Sequence, residues 1–483
     1  MATIPPRASG WFQPGKPDMA VAPARNAAFN ILLRVEREAA YAVELLHSAL
    51  LDELSSVDRH LVTEIVMGVL RWRSVLDQTI ALLSFTPFRK LDLEVLTALR
   101  MGVYQKQFLS KIPAHASVNE TVELVKQAKK VSAAGLVNAV MRKVKSAAYD
   151  PHASKLAGAD YLSSALAHPR WLVERWSSSF GDDVARKICE YDQRVSATVL
   201  RLGSAQDESI LAVQGIQLNP GALMVAARVV TAGDVGATEL FRDGRALESP
   251  AEKTSAIQDE GSQLVAALVG PGRHILDCCA APGGKTAAMA SRLPEAQIVA
   301  TELHPHRAIL LRRLAPQQNV EVVTADALAL PYGAEFDRVL ADVPCSGTGT
   351  LARNPEIKWK LRPQDLHDLQ SRQIAILRAA MRHVAPGGRL VYSTCSLEPE
   401  ENEQVIAAAL QGSHHEPLNV LSSSQQNPSS FKIIPVRTEL LRLQQSGELV
   451  WKNIDDLVSG NFLRTIPGVH PCDGFFAAIL EKH

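Results

Sequence analysis

Two of the six cysteines in this 483-residue sequence stand where a thiol can react. Cys345 follows the apolar run FDRVLAD (336–342) in the segment VPCSGTGT, and Cys395 closes the run GRLVYSTC (388–395). Each run reads as a β-strand, which places each thiol just past a strand's carboxyl end, the edge where parallel α/β sheets bind ligands. A lone cysteine is more often a small buried hydrophobe than a nucleophile. Two at equivalent strand ends reverse that preference. Cys189, Cys278, Cys279 and Cys472 fall neither at metal-ligand spacings nor in a dense disulfide framework, so free thiols and no metal site are expected.

Such a pair suits methylation of a pyrimidine carbon. Cytosine C5 is a poor nucleophile, and a thiolate must first add at C6, which makes C5 enamine-like and able to attack a sulfonium methyl group. A base must then take the C5 proton so that the thiolate can leave. Because a free thiol ionises only near about pH 8.5, the nucleophile needs a cation or helix N-terminus beside it. Lys285 is the candidate cation, and Asp342 the group that anchors it or holds the cytosine edge.

The elements that must carry these residues begin at His274. Short apolar runs alternate with helical stretches: HILD, QIVATE, VEVVTAD, FDRVLAD and GRLVYSTCS, with helices after Gly284, Pro305 and Gln364. That alternation specifies an α/β fold with a parallel, doubly wound sheet. HILD runs into CCAAPGGKT (278–286), where Gly283 and Gly284 let the backbone approach a cofactor closely. The next strand ends at Glu302, placed for the two hydroxyls of a ribose, and the third at Asp326, placed for an adenine amino group. Each acid alone, Asp277 at the end of HILD included, could simply cap the next helix, but three in register argue for a nucleoside. GGKT ends like a P-loop, yet the first glycine of that pattern falls at Cys279, and G-x-G-x-x-G is absent.

Upstream the character differs. Residues 1–23 hold five prolines among small and polar residues and read as a flexible tail. Residues 24–148 show apolar residues every three or four positions, the mark of an all-α bundle, with Ser117 and Glu120 spaced as a capping box. Within 25–145, 17 basic residues face 12 acidic ones, a surplus of 5 that includes Lys126, Lys129, Lys130, Arg142, Lys143 and Lys145. A solvated helix face is the common reading of such a cluster, and a phosphate-tracking patch the alternative. Residues 149–250 read as a small α+β connector and 251–483 as the catalytic domain, with a Ser-, Gln- and Asn-rich surface insertion at 411–430.

Lys plus Arg (51) equals Asp plus Glu (51), so an anionic partner must be met by a local patch. Hydrophobic residues at 46% and charged residues at 21% describe a globular chain. No signal-like segment or long apolar run occurs, so a cytoplasmic protein that does not span a membrane is expected.

The motifs DCCAAPGGKT, DVPCSGTGTLARNPEIKW, YSTCSLEPEEN and HPCDGFFAAILEK resemble the RNA cytosine-5 methyltransferases of the Sun or nucleolar-protein family over about residues 250–483. The preceding helices resemble a NusB-like RNA-binding domain, the arrangement of the bacterial RsmB-type enzymes that modify small-subunit (16S) ribosomal RNA. The resemblance implies a Rossmann-like class I domain binding S-adenosyl-L-methionine through Cys279, Ala280, Ala281, Pro282, Gly283, Gly284, Lys285, Glu302, Asp326 and Asp342. It implies Cys395 as nucleophile, with Cys345 assisting elimination and release. It also implies an RNA partner, a monomer, and an Asn354-Pro-Glu356 loop near the RNA with Arg353 on phosphate. Three other readings compete: a DNA enzyme with Cys345 as nucleophile, methylation of another RNA such as tRNA, and a non-catalytic NusB-like factor.

Overall fold

The computed structural model describes residues 21–38, 40–241, 255–332, 336–411 and 431–483. The chain divides into two compact units, Met1–Ala153 and Ser154–His483.

The first unit is helical. Among the described residues it contains α1 (Pro23–Arg37), α2 (Ala42–Leu46), α3 (Ser56–Arg71), α4 (Arg73–Ser84), α5 (Leu93–Phe108), α6 (Ala114–Gln127) and α7 (Ala134–Lys143). Ile31, Leu32, Ile65, Leu76, Leu99, Met101, Leu124 and Val140 meet in one core, and full burial of each such side chain stabilises by about 1.5–3 kcal/mol. Arg100, nearly buried on α5, donates from Nε and Nη2 to both Asp77 oxygens on α4 at 2.7 and 2.8 Å. Two expectations change here. Val21 is buried and Pro23 opens α1, so the helix starts inside the segment read as a tail, while residues 1–20 lie outside the described residues. Ser117 is no cap: Pro113 precedes the first turn of α6, the helix begins one turn earlier than expected, and Ser117 is buried within it.

The second unit opens with α8 (Gly158–Ser164), α9 (Arg170–Phe180) and α10 (Asp182–Asp192). Gly181, at φ 84°, separates the last two. There follow β1 (Val199–Arg201), α11 (Ala205–Val213), β2 (Gln217–Pro220) and β3 (Ala227–Ala232), and with β4 (Ala256–Ile257) the strands make a sheet in the order β2-β3-β1-β4. Glu260, buried at the start of α12 (Glu260–Leu268), ties this sheet to the next by accepting the backbone N–H groups of Ala222, Leu223 and Met224 at 3.0, 2.6 and 2.8 Å.

The large sheet begins with β5 (His274–Asp277), α13 (Gly284–Arg292), β6 (Gln297–Glu302), α14 (Pro305–Leu314), β7 (Val320–Thr324) and β8 (Phe336–Asp342). It continues with α15 (Ile357–Lys360), α16 (Asp365–Arg382), β9 (Val384–Thr394), α17 (Glu403–Leu410), β10 (Phe431–Ile434), α18 (Val436–Gln445), β11 (Val458–Ser459), β12 (Phe462–Arg464) and β13 (Phe476–Lys482). The order is β11-β12-β13-β9-β8-β5-β6-β7, with β10 also on β13. Strands β5 to β9 are parallel and doubly wound, as expected, whereas β10 to β13 pair antiparallel, so the sheet is mixed. A buried apolar strand such as Phe476–Lys482 carries no mark of its direction. The winding reverses between β5 and β8, and the crevice at that switch point is where a doubly wound sheet takes its ligand. Apolar layers cover both faces, one including Ile275, Leu340 and Val391, the other Leu276, Val339 and Tyr392. The expected insertion at 411–430 falls, from residue 412 onward, outside the described residues.

Candidate active site

Register delivers the two thiols to one place. In the β8–β9 ladder Asp342 lies opposite Ser393, so the loops that follow start level. Cys345, three residues past Asp342, and Cys395, two past Ser393, bring their Sγ atoms to 3.3 Å. Both are partly exposed. The loops are bonded to each other around them: Gly349 N–H donates to the Cys395 carbonyl at 2.9 Å, and Leu397 N–H to Thr348 Oγ1 at 2.9 Å. A third strand end joins through Gly474, whose N–H donates to the Gly349 carbonyl at 2.7 Å. A Cβ on Gly349 would stand 2.3 Å from the Gly474 carbonyl oxygen, so only glycine allows that approach.

Lys285 and Asp342 pair as anticipated, Nζ to Oδ2 at 2.7 Å, while Ser393 Oγ donates to the other Asp342 oxygen at 2.6 Å. Lys285 also lies over the Phe475 ring, 5.1 Å from its centre. Burial, the largest single influence, opposes the ammonium, but the charge and hydrogen bond of Asp342 together with Cys395 and Asp277 outweigh it, and the Lys285 pKa is raised. Lys285 therefore stays an ammonium paired with Asp342, with Cys395 among the groups in its electrostatic surroundings. Cys345 differs: its hydrogen bond with Cys395, its burial and the nearby Glu401 carboxylate push its pKa well above the ordinary thiol value.

The glycine loop runs past the end of β5. Gly283, at φ 119°, caps α13 in a conformation open to glycine, and a Cβ there would come within 2.9 Å of Leu311. Cys279 and Ala281 are half-buried, Ala280 is buried and its N–H donates to the Thr301 carbonyl at 2.9 Å, and Pro282 is exposed. Gly284 opens α13, whose first N–H groups are free to meet an anionic group. Glu302 ends β6, nearly buried, with one oxygen accepting His304 N–H at 2.9 Å and the other 3.9 Å from Arg307. Asp326, exposed after β7, accepts Leu328 N–H at 3.0 Å. Both acids thus cap the following turn and keep further acceptor capacity.

This set suits S-adenosyl-L-methionine: a tight glycine loop, free amides at a helix start, and carboxylates along consecutive strand ends for hydroxyls, an amine and a sulfonium charge. Asp277 also belongs here. One of its oxygens accepts the Thr286 hydroxyl at 2.7 Å while Oδ1 is buried with no hydrogen-bond partner among the described residues, and burial raises its pKa to about 7.

Several residues were missed from the sequence. Glu401 is fully buried and accepts Ser346 N–H and Gln373 Nε2 at 2.8 Å on one oxygen, and Ser396 Oγ at 2.5 Å together with Ser346 Oγ on the other. The available signal was a repeated Cys-Ser dipeptide at 345–346 and 395–396. Arg353 is placed differently from expectation. It donates to Asp473 at 2.8 Å and to Asp259 at 3.3 Å, holding β13's approach to α12 rather than pointing to a phosphate. Glu356 and Lys358 of the same segment are buried, with Lys358 Nζ donating to the Ala167 carbonyl at 3.0 Å.

Fold and site together define a class I, S-adenosyl-L-methionine-dependent methyltransferase. Residues 267–481 match the family described as 16S rRNA methyltransferase RsmB/F, and residues 22–146 the NusB family. The probable ribosomal RNA small subunit methyltransferase B of Bacillus subtilis (strain 168) is 32% identical over 402 residues, spanning 80% of this chain and 88% of that protein. The ribosomal RNA small subunit methyltransferase B of Vibrio cholerae (serotype O1) is 33% identical over 366 residues, spanning 73% and 81%. The crystal structure of PH0851 shares the fold, with a TM-score of 0.74 over 96% of this chain and all of its own (100%), at 22% identity. The chain belongs to the small-subunit ribosomal RNA methyltransferase B family, and its N-terminal helices form a NusB domain. Among the described residues no helix is long and apolar enough to cross a membrane.

Proposed function

We propose that this protein methylates C5 of a cytosine in small-subunit ribosomal RNA through a covalent bond between Cys395 and C6. The observation that carries the reading is the pair of Sγ atoms 3.3 Å apart, just beyond the strand end where Lys285 pairs with Asp342.

When bound, S-adenosyl-L-methionine supplies an electrophilic methyl group. Glu302, Asp326 and the amides at 283–285 hold the nucleoside and amino-acid ends, and Asp342, tied down by Lys285 and Ser393, faces the target base. The Cys395 sulfur adds to C6 as the thiolate and pushes electrons to C5. Cys345, kept as a thiol, donates its hydrogen to the Cys395 sulfur and so stabilises it again as it departs. After methylation of C5, the Cys345 sulfur, left as a thiolate once its proton is on Cys395, accepts the C5 proton, which restores the aromatic ring as the bond from C6 to the Cys395 sulfur breaks. A cytosine can reach this crevice only when it is splayed from its helix. The basic surplus of the helical unit, residues 24–148, supplies phosphate contacts, and the catalytic division at 251–483 carries the chemistry.

The experiment is methylation of unmodified small-subunit RNA with labelled cofactor, followed by nucleoside analysis. Label in 5-methylcytidine supports the reading, and label in any other nucleoside refutes it. A DNA enzyme would instead use Cys345, and substitution of each thiol separates the two.

A further inference from the structure

We propose that Glu401 is the positioning residue that locks the two thiol-bearing loops in register; the inference rests on the thiol reading above and names the device behind it. Residues 346 and 396 directly follow the two cysteines, and both bind this one carboxylate. Their hydroxyls also lie 3.0 Å from each other. The fourth donor, Gln373, comes from the middle of α16 and also donates to the Pro344 carbonyl at 2.9 Å, the residue before Cys345. Tyr392 on β9 fixes the Glu401 main chain, its hydroxyl donating to the carbonyl at 2.7 Å.

The chemistry of this arrangement is specific. A carboxylate taken wholly out of water needs its lone pairs filled, and four donors fill them here. Those donors come from the loop after β8, the loop after β9 and α16, so moving either loop leaves a buried charge short of a partner. That cost is local to the residues next to the cysteines, and it holds the sulfurs together. Loop sequence alone would not: Ser346 and Gly347 permit many backbone paths. Glu401 touches neither thiol by hydrogen bond and acts through Ser346 and Ser396. Its charge also contributes to keeping the Cys345 proton in place.

The test uses the full chain with Glu401→Ala and Glu401→Gln. Two rates are measured: single-turnover methyl transfer to unmodified small-subunit RNA, and closure of Cys345 and Cys395 into a disulfide by diamide. In the second, two thiols lose two hydrogens to the azo group, which becomes a hydrazine, and the product is read by peptide mass. Glu401→Ala is expected to lower methyl transfer about 100-fold, as displacements near 1 Å do, and to slow disulfide closure about tenfold. Cofactor affinity should stay within about threefold, and Glu401→Gln, which retains one acceptor oxygen, should fall between. If Glu401→Ala does not fold, Glu401→Gln and the double variant Ser346→Ala/Ser396→Ala carry the same expectation. Wild-type closure in a folded variant overturns the inference, even if methyl transfer falls. If Cys395→Ala retains methyl transfer, the thiol reading fails instead, and closure still decides the role of Glu401 because it needs no catalysis.

Discussion

The Sγ atoms of Cys345 and Cys395 lie 3.3 Å apart although 50 residues separate them in the chain. The pairing follows from β8 and β9 being neighbours in register, with β8 ending at the switch point that holds the cofactor loop and β9 beside it. Thiols this close share one proton environment, so a charge placed on one side sets which of them is the nucleophile. Lys285 is the cation that acts on Cys395 in this account, and the first prediction removes it.

Lys285→Met removes the cation from Asp342 and Cys395 while keeping much of the packing on Phe475. Methyl transfer should fall about 100- to 1,000-fold, the range for loss of one electrostatic donor in a closed site. Single-turnover methyl transfer, measured beside cofactor affinity, checks this. A rate within about threefold of the wild type would assign the lysine to packing alone.

Asp277→Asn should stabilise the protein at alkaline pH. The folded-state pKa is raised by burial to about 7 from an ordinary 3.8, so between those values the folded chain binds more protons than the unfolded one. Stability from this group is therefore present at pH 4 and lost as pH rises through about 7. The asparagine variant keeps an acceptor for Thr286 and escapes that loss. Its advantage should be on the order of 2 kcal/mol at pH 8 and vanish toward pH 4 to 5, read by denaturant melts across pH. A pH-independent difference would contradict the burial argument.

Arg353→Ala separates a structural from an RNA-binding role. Asp473 and Asp259 would lose the cation that burial makes them need, and stability should drop by about 1–3 kcal/mol, less than for a fully buried pair because the guanidinium is partly exposed. The slope of log RNA affinity against log salt should stay as in the wild type. A slope reduced by about one would show that Arg353 does meet a phosphate.

The sheet and its two thiols were legible because they rest on local signals: short apolar runs, glycines after the first strand, and a reactive residue just beyond each strand end. Partnership over distance was not. Glu401 sits in the run Glu398-Pro-Glu-Glu, which looks like a solvated charged turn, yet it is buried because Ser346 and Gln373, 55 and 28 residues away, supply donors. Arg353 looked free for phosphate because its partner Asp473 is 120 residues on. Ser117 and Glu120 had the right spacing for a cap, but Pro113 had already started the helix. The antiparallel pairings of β10 to β13 were hidden for a related reason, since direction comes from connections and not from composition.

The central claim, that Cys395 makes the bond to the base and Cys345 helps break it, is tested most directly by trapping protein on RNA. Wild type, Cys395→Ala and Cys345→Ala are each incubated with unmodified small-subunit RNA and S-adenosyl-L-methionine, then run under denaturing, non-reducing conditions. The account predicts no adduct with Cys395→Ala and an accumulated protein–RNA adduct with Cys345→Ala, at levels well above the wild type. An adduct that persists in Cys395→Ala and disappears in Cys345→Ala would contradict it.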